Sequence, residues 1–167
     1  MQYEEGFSDL TFFSMNNLTK IPFYKPDGKS SADGEKLVLI LSRDDDTRFL
    51  YRTLLEMWNY RVTESTNVEE TLSTVAVVKT DIILFDCVMP FSLNLETLGK
   101  LRESDGLAEM PIVLISGFAQ PHYRSLALGG GADDYLVKPV DFDMLEDSLQ
   151  NNISKNNSKN RQARNSL

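Results

Sequence analysis

Cysteine and histidine occur once each in this chain of 167 residues, as Cys87 and His122. A lone thiol cannot close an internal disulfide, and it fits a reducing, cytoplasmic setting. One imidazole with one thiol also falls short of a zinc cluster, so any metal would be a hard cation held by oxygens. Long apolar runs are missing too, and nothing approaches the ~20 residues of a membrane span. Residues 1–10 are acidic, without the basic start and apolar core of a secretory signal. Positive charge is scarce where it would matter for nucleic acid. Residues 35–152 hold ten basic and twenty acidic side chains, a net charge of −10. That balance argues against direct DNA binding.

What the chain does have is a regular alternation centred on Asp81–Pro90, which reads Asp-Ile-Ile-Leu-Phe-Asp-Cys-Val-Met-Pro. The run Ile82–Phe85 is too short for a buried helix and suits a central strand covered on both faces. It stops on Asp86, and Pro90 follows, where no ladder donor is available. Comparable short runs end at Leu41, Ser65, Ile115 and Val137. Helical spacing separates them over Asp44–Trp58, from Asn67 onwards, and over Leu93–Arg102, Pro121–Leu128 and Phe142–Asn152. Asn67 with Glu70 three residues later reads as a helix start with a capping box. Five βα units call for an α/β fold, a five-stranded parallel sheet with helices on both faces.

The flanks differ in kind. Residues 1–34 carry scattered apolar residues, Pro22, Pro26 and Gly28, and read as a flexible leader and linker, with a short amphipathic helix weighed for Ser8–Met15. The folded domain is expected over 35–152. Residues 153–167, with four basic side chains and no acid, are expected to be a disordered basic tail.

In an open parallel sheet the carboxyl ends of the strands carry the chemistry. Here they deliver Ser42, Arg43 and Asp44–Asp46 from the first strand, Asp86 from the third, Ser116 from the fourth and Lys138 from the fifth. A carboxylate, a hydroxyl and an ammonium in one cleft can accept and hold a phosphoryl group. Asp86 would be the nucleophile, Lys138 would face the phosphoryl oxygens, and Ser116 would add a hydrogen bond. Added acids would hold Mg2+.

Asp86-Cys87-Val88-Met89-Pro90, Ser116-Gly117 and Ala132-Asp133-Asp134-Tyr135-Leu136-Val137-Lys138-Pro139 together resemble a response-regulator receiver domain of two-component signalling. Ser116 lies 30 residues and Lys138 lies 52 residues beyond Asp86, as in that family. The resemblance implies a stand-alone receiver with flavodoxin-like strand order 2-1-3-4-5. It makes Asp86 the phosphoacceptor and Ser116 with Tyr135 the pair that reorients. It implies Mg2+, possible ligands being Asp86, Asp44 and the Val88 backbone carbonyl. The implied partners are a sensor histidine kinase or phosphotransfer protein, and a downstream protein read out by the last helices and strands. Whether the active form is a homodimer stays open. Such a chain is a phosphoacceptor assisting its own phosphorylation and dephosphorylation, not an enzyme in the ordinary sense.

One position departs from the family. Receivers carry two adjacent acids after the first strand, and here the aligned pair is Ser42-Arg43, followed by Asp44, Asp45 and Asp46. In one reading Asp44 or Asp45 reaches the metal and phosphorylation proceeds with weaker magnesium binding. In another, the Arg43 guanidinium fills the cation site against Asp86 and the domain is a phosphate-independent adaptor, and in the plainest Arg43 points to solvent while the acids cap the helix. A flavodoxin-like cofactor binder shares the strand order, but the acidic loop after the first strand is the wrong charge for a phosphate loop. Cys87 is expected to be a buried small residue, and His122 a surface residue at a helix start.

Overall fold

The computed structural model of the protein describes residues 35–165. The leader 1–34, with the helix weighed for Ser8–Met15, lies outside the described residues, as do positions 166–167. Strands and helices alternate: β1 (Leu37–Leu41), α1 (Asp45–Met57), β2 (Arg61–Ser65), α2 (Val68–Val77), β3 (Ile82–Asp86), α3 (Phe91–Glu103), β4 (Ile112–Ser116), α4 (Pro121–Gly129), β5 (Asp134–Val137) and α5 (Phe142–Asn165). The sheet is parallel throughout in the order β2-β1-β3-β4-β5, as the sequence leads one to expect.

β1, β3 and β4 are buried at every position, which is why they read as unbroken apolar runs. Successive residues face opposite sides. Val38, Ile40, Ile82, Leu84, Val113 and Ile115 pack against Leu54 and Leu55 of α1 and Leu145 and Leu149 of α5. Leu39, Leu41, Ile83, Phe85, Ile112 and Leu114 meet Leu98 and Leu101 of α3 and Ala127 of α4, with Val68 and Leu72 of α2 alongside.

The helix ends have local causes. Asp44 caps α1 by accepting from the Thr47 N–H at 2.7 Å. Asn59, at φ 62°, stops it in the left-handed conformation that asparagine tolerates, and the Tyr60 N–H returns to the Leu55 carbonyl. Asn67 accepts from the Glu70 N–H at 2.9 Å, while Glu70 Oε2 accepts from the Thr66 N–H, one residue before the cap. α3 begins at Phe91, straight after Pro90, and earlier than the expected Leu93.

The last helix overturns one expectation. It does not stop at Asn152 but runs to Asn165, so residues 153–165 are helical instead of a disordered tail. Ile153 explains the continuation. It extends the four-residue repeat of Leu145 and Leu149 into the same core and is 5 % exposed. Once that turn is docked, adding further helical residues costs little nucleation. Lys159 then lies 3.4 Å from Glu109.

Candidate phosphoacceptor site

Asp86 is the last residue of β3 and pairs in register with Ile115. The next amide, Cys87 N–H, still donates to the Ile115 carbonyl, so the carboxylate leaves the sheet at its carboxyl edge. It is only 6 % exposed. The Ser42 N–H likewise continues the β1–β2 ladder by donating to Ser65, which holds Ser42 beside Asp86. The Ser42 hydroxyl donates to Asp86 Oδ2 at 2.8 Å, and its own oxygen accepts the Asp44 N–H at 3.1 Å. Lys138 follows β5, anchored by its N–H on the Ser116 carbonyl. Its ammonium pairs with the buried Asp86 Oδ1 at 2.5 Å. Asp86 is thus held from two sides by different chemistry.

Ser116 and Tyr135 sit one and two strands away and converge on Phe118. The Ser116 hydroxyl accepts the Phe118 N–H at 3.1 Å, and the Tyr135 hydroxyl donates to the Phe118 carbonyl at 2.8 Å. Tyr135 is buried, and burial raises its phenol. Phe91 packs on the rings of Phe118, Tyr123 and Tyr135, so it is a core aromatic at a helix start. His122 lies against the Tyr123 ring on the exposed start of α4.

The loop after β1 resolves the competing readings of Arg43. Its side chain is exposed and lines a cleft with Thr66, Asn67, Glu69, Glu96 and Lys100. Ser42, not Arg43, is the residue on Asp86, so the reading in which Arg43 fills the cation site is not supported. The reason is register. Ser42 is the residue that continues the β1–β2 ladder beside Asp86, and Arg43 leaves the sheet at the turn into α1.

Sequence reasoning missed Asn94. This side chain is buried in α3 and takes Val88 by both backbone groups. Its Nδ2 donates to the Val88 carbonyl at 2.7 Å, and its Oδ1 accepts the Val88 N–H at 2.9 Å. The signal was present. Asn94 stands on the buried stripe with Phe91, Leu98 and Leu101, where an amide must find partners.

Residues 38–150 match the family described as the response regulator receiver domain, which is most of the chain. This chain belongs to the response-regulator receiver family. Among its relatives is an uncharacterized 14.6 kDa protein of Leptolyngbya boryana, 34 % identical over 62 % of this chain and 79 % of that one. The two-component response regulator ORR6 of Oryza sativa is 33 % identical over 65 % and 66 % of the two chains. Other relatives are longer, and the alignment covers 45 % of the phosphate regulon transcriptional regulatory protein PhoB of Pseudomonas aeruginosa. A response regulator structure from Chloroflexus aurantiacus shares the fold, with a TM-score of 0.66 at 21 % identity, over 72 % of this chain and 99 % of that one. So does the PA1611 receiver domain of Pseudomonas aeruginosa, which carries a coordinated magnesium ion in its active site cleft. Its TM-score is 0.63 at 23 % identity, over 72 % and 99 % of the two chains. Membership makes the receiver a two-component signalling domain, a switch and not a conventional enzyme.

In this receiver the three groups that the resemblance offers a magnesium ion each have a partner within the chain. Asp86 has Ser42 and Lys138, the Val88 carbonyl has Asn94, and the Asp44 carboxylate caps α1. The Thr47 side chain and then its amide hold Asp44 below its usual value, with Lys138 and Arg48 adding to the effect. Asp45 pairs with Arg48. Among the described residues no three carboxylate, imidazole or thiolate groups gather around one point. With an ammonium on Asp86 and a hydroxyl and a guanidinium where the family has its acid pair, the donor set does not fit a small dication, which needs one or two uncompensated carboxylates beside its waters. Cys87, beside Asp86, is 8 % exposed. Burial, with the Asp86 charge, pushes its thiol up to about 12, which keeps it protonated and inert.

Proposed function

We propose that the protein is a phosphoacceptor signalling switch whose acceptor is Asp86. The reading is carried by one observation. Asp86 is a buried carboxylate at the carboxyl edge of the sheet, and its Oδ1 is paired with the Lys138 ammonium at 2.5 Å. In phosphoryl transfer from a phosphohistidine, that oxygen bonds to phosphorus and the P–N bond breaks. The imidazole nitrogen takes the electron pair and a proton from solvent. Lys138 then sits against the transferred oxygens, where positive charge stabilises the transition state most.

Readout follows from the shared anchor at Phe118. A phosphoryl group on Asp86 offers new acceptor oxygens to the Ser116 hydroxyl. Drawing Ser116 to them weakens its hold on the Phe118 amide, and with it the hydrogen bond that keeps Tyr135 inward. Phosphorylation biases an equilibrium between two arrangements of this loop and the adjoining α4–β5–α5 face. The donor on this reading is a sensor histidine kinase or a phosphotransfer protein, and the receiver of the signal is a protein docked on that face. The setting is cytoplasmic, and no helix among the described residues is long and apolar enough to cross a membrane.

Intact mass after incubation with acetyl phosphate tests the reading. The expected result is a single phosphate adduct on wild type and none on Asp86→Asn. Equal adducts on both proteins would place the acceptor elsewhere.

A further inference from the structure

The position where a receiver has an acid pair holds a hydroxyl on Asp86 and an outward guanidinium. Resting on the phosphoacceptor reading above, we propose that this receiver orients Asp86 with its own side chains in place of a divalent cation, Ser42 on Oδ2 and Lys138 on Oδ1, so that phosphoryl transfer to Asp86 proceeds without magnesium.

The geometry of Ser42 is that of a positioning residue. Ser42 is 2 % exposed, and its hydroxyl has a donor behind it, the Asp44 N–H, so its own proton is directed at Asp86. Arg48 fixes the same residue through its carbonyl, with Nη1 donating at 2.6 Å. Ser42 therefore cannot swing away without breaking a set of bonds. A hydroxyl there also removes a unit of negative charge relative to an acid. Ligand charge is what sets the affinity of a site for a hard cation. Lys138 brings the opposite charge, and its field reaches both Asp86 and Asp44. The Val88 carbonyl is tied to Asn94. Each job a cation would do here, orienting the carboxylate and offsetting phosphoryl charge, has a resident side chain.

The step balances without a metal. With acetyl phosphate as donor, Asp86 Oδ1 forms a bond to phosphorus and the bond from phosphorus to the acetyl oxygen breaks. Acetate leaves with the electron pair, and the total charge is unchanged. Ser42 keeps its proton throughout, holding Oδ2 while Oδ1 reacts.

The test has two arms on the full chain. In the first, calorimetry titrates magnesium chloride into wild type and into the double variant Ser42→Asp/Arg43→Asp. Wild type is expected to give no binding heat, and the double variant to gain affinity by about tenfold or more as acids are restored. Binding heat from wild type overturns the proposal. In the second, adduct formation from acetyl phosphate is followed in EDTA and in magnesium. The expected rates for wild type agree within about twofold, a difference too small to assign to a transition-state interaction. Ser42→Ala should slow both, and Ser42→Thr should restore them, which a merely structural serine would not require. An adduct that forms only in magnesium overturns the proposal. No adduct in either condition counts against Asp86 as acceptor. The calorimetric arm does not depend on that outcome, and binding heat from wild type sinks the inference by itself.

Discussion

The two oxygens of Asp86 have different neighbours, a neutral donor on Oδ2 and a cation on Oδ1. Removing the cation should cost more than removing an ordinary surface lysine. Lys138→Ala is expected to slow adduct formation from acetyl phosphate by about a hundredfold, the scale for losing one preorganised charge or donor at a transition state. Quenched-time mass spectra would show it. Cys87, one residue on, gives the opposite expectation. With its thiol pushed up to about 12 by burial, it should resist iodoacetamide in the folded protein and react fully once denatured. Alkylation of the native protein at the denatured rate would refute that account. The site was legible where a polar residue ends an apolar run, as Asp86, Ser116 and Lys138 do. It was not legible in its pairings. Ser42 read as a missing acid and Arg43 as a candidate cation because sequence order gives no strand register, and register decides which of two neighbours stands beside Asp86. Asn94 was hidden inside a helix, and only the buried stripe around it points to its role.

At the scale of elements, loops are held by a few side chains that serve several backbone groups. Arg102 in α3 donates to the carbonyls of Gly131 and Leu107 at 2.8 Å and of Met110 at 2.5 Å, and pairs with Asp133 at 2.7 Å. Asp133 also accepts the Ile112 N–H that opens β4. Arg102→Ala leaves several carbonyls unpaired and is expected to cost about 1–3 kcal/mol by urea unfolding, with the fold retained. Ile153→Ala is expected to cost about 2–5 kcal/mol, the scale for a buried isoleucine. A change near zero would mean that α5 does not dock beyond Asn152. Composition hides this continuation, because the polar average of residues 153–167 is that of an unfolded tail. A single apolar residue at the right spacing was enough to carry the helix onward.

Across the whole molecule, the fold was legible because each level agreed with the next. Buried strands are unbroken apolar runs, caps open the first two helices, and five βα units call for a parallel sheet whose strand order the family resemblance supplies. Acid stability is a property of this scale, and Asp134 shows its sign. Burial works to raise its carboxyl, but the Ser148 hydroxyl, the Tyr135 amide and the Arg124 guanidinium together hold it below the ordinary 3.8. The folded value is therefore the lower one. Its stabilising contribution is complete above 3.8 and is lost as pH falls through the depressed folded value. Asp134→Asn should flatten that acid limb of the urea midpoint against pH, and an unchanged slope would contradict the assignment. The central claim, however, is chemical, and borohydride trapping addresses it most directly. An acyl phosphate is reduced to an alcohol where a free carboxylate is not, so peptide mapping after acetyl phosphate and borohydride locates the phosphate. The account expects homoserine at position 86 alone. Homoserine among Asp44–Asp46, or an unreduced Asp86 in a protein that carries phosphate, would contradict it.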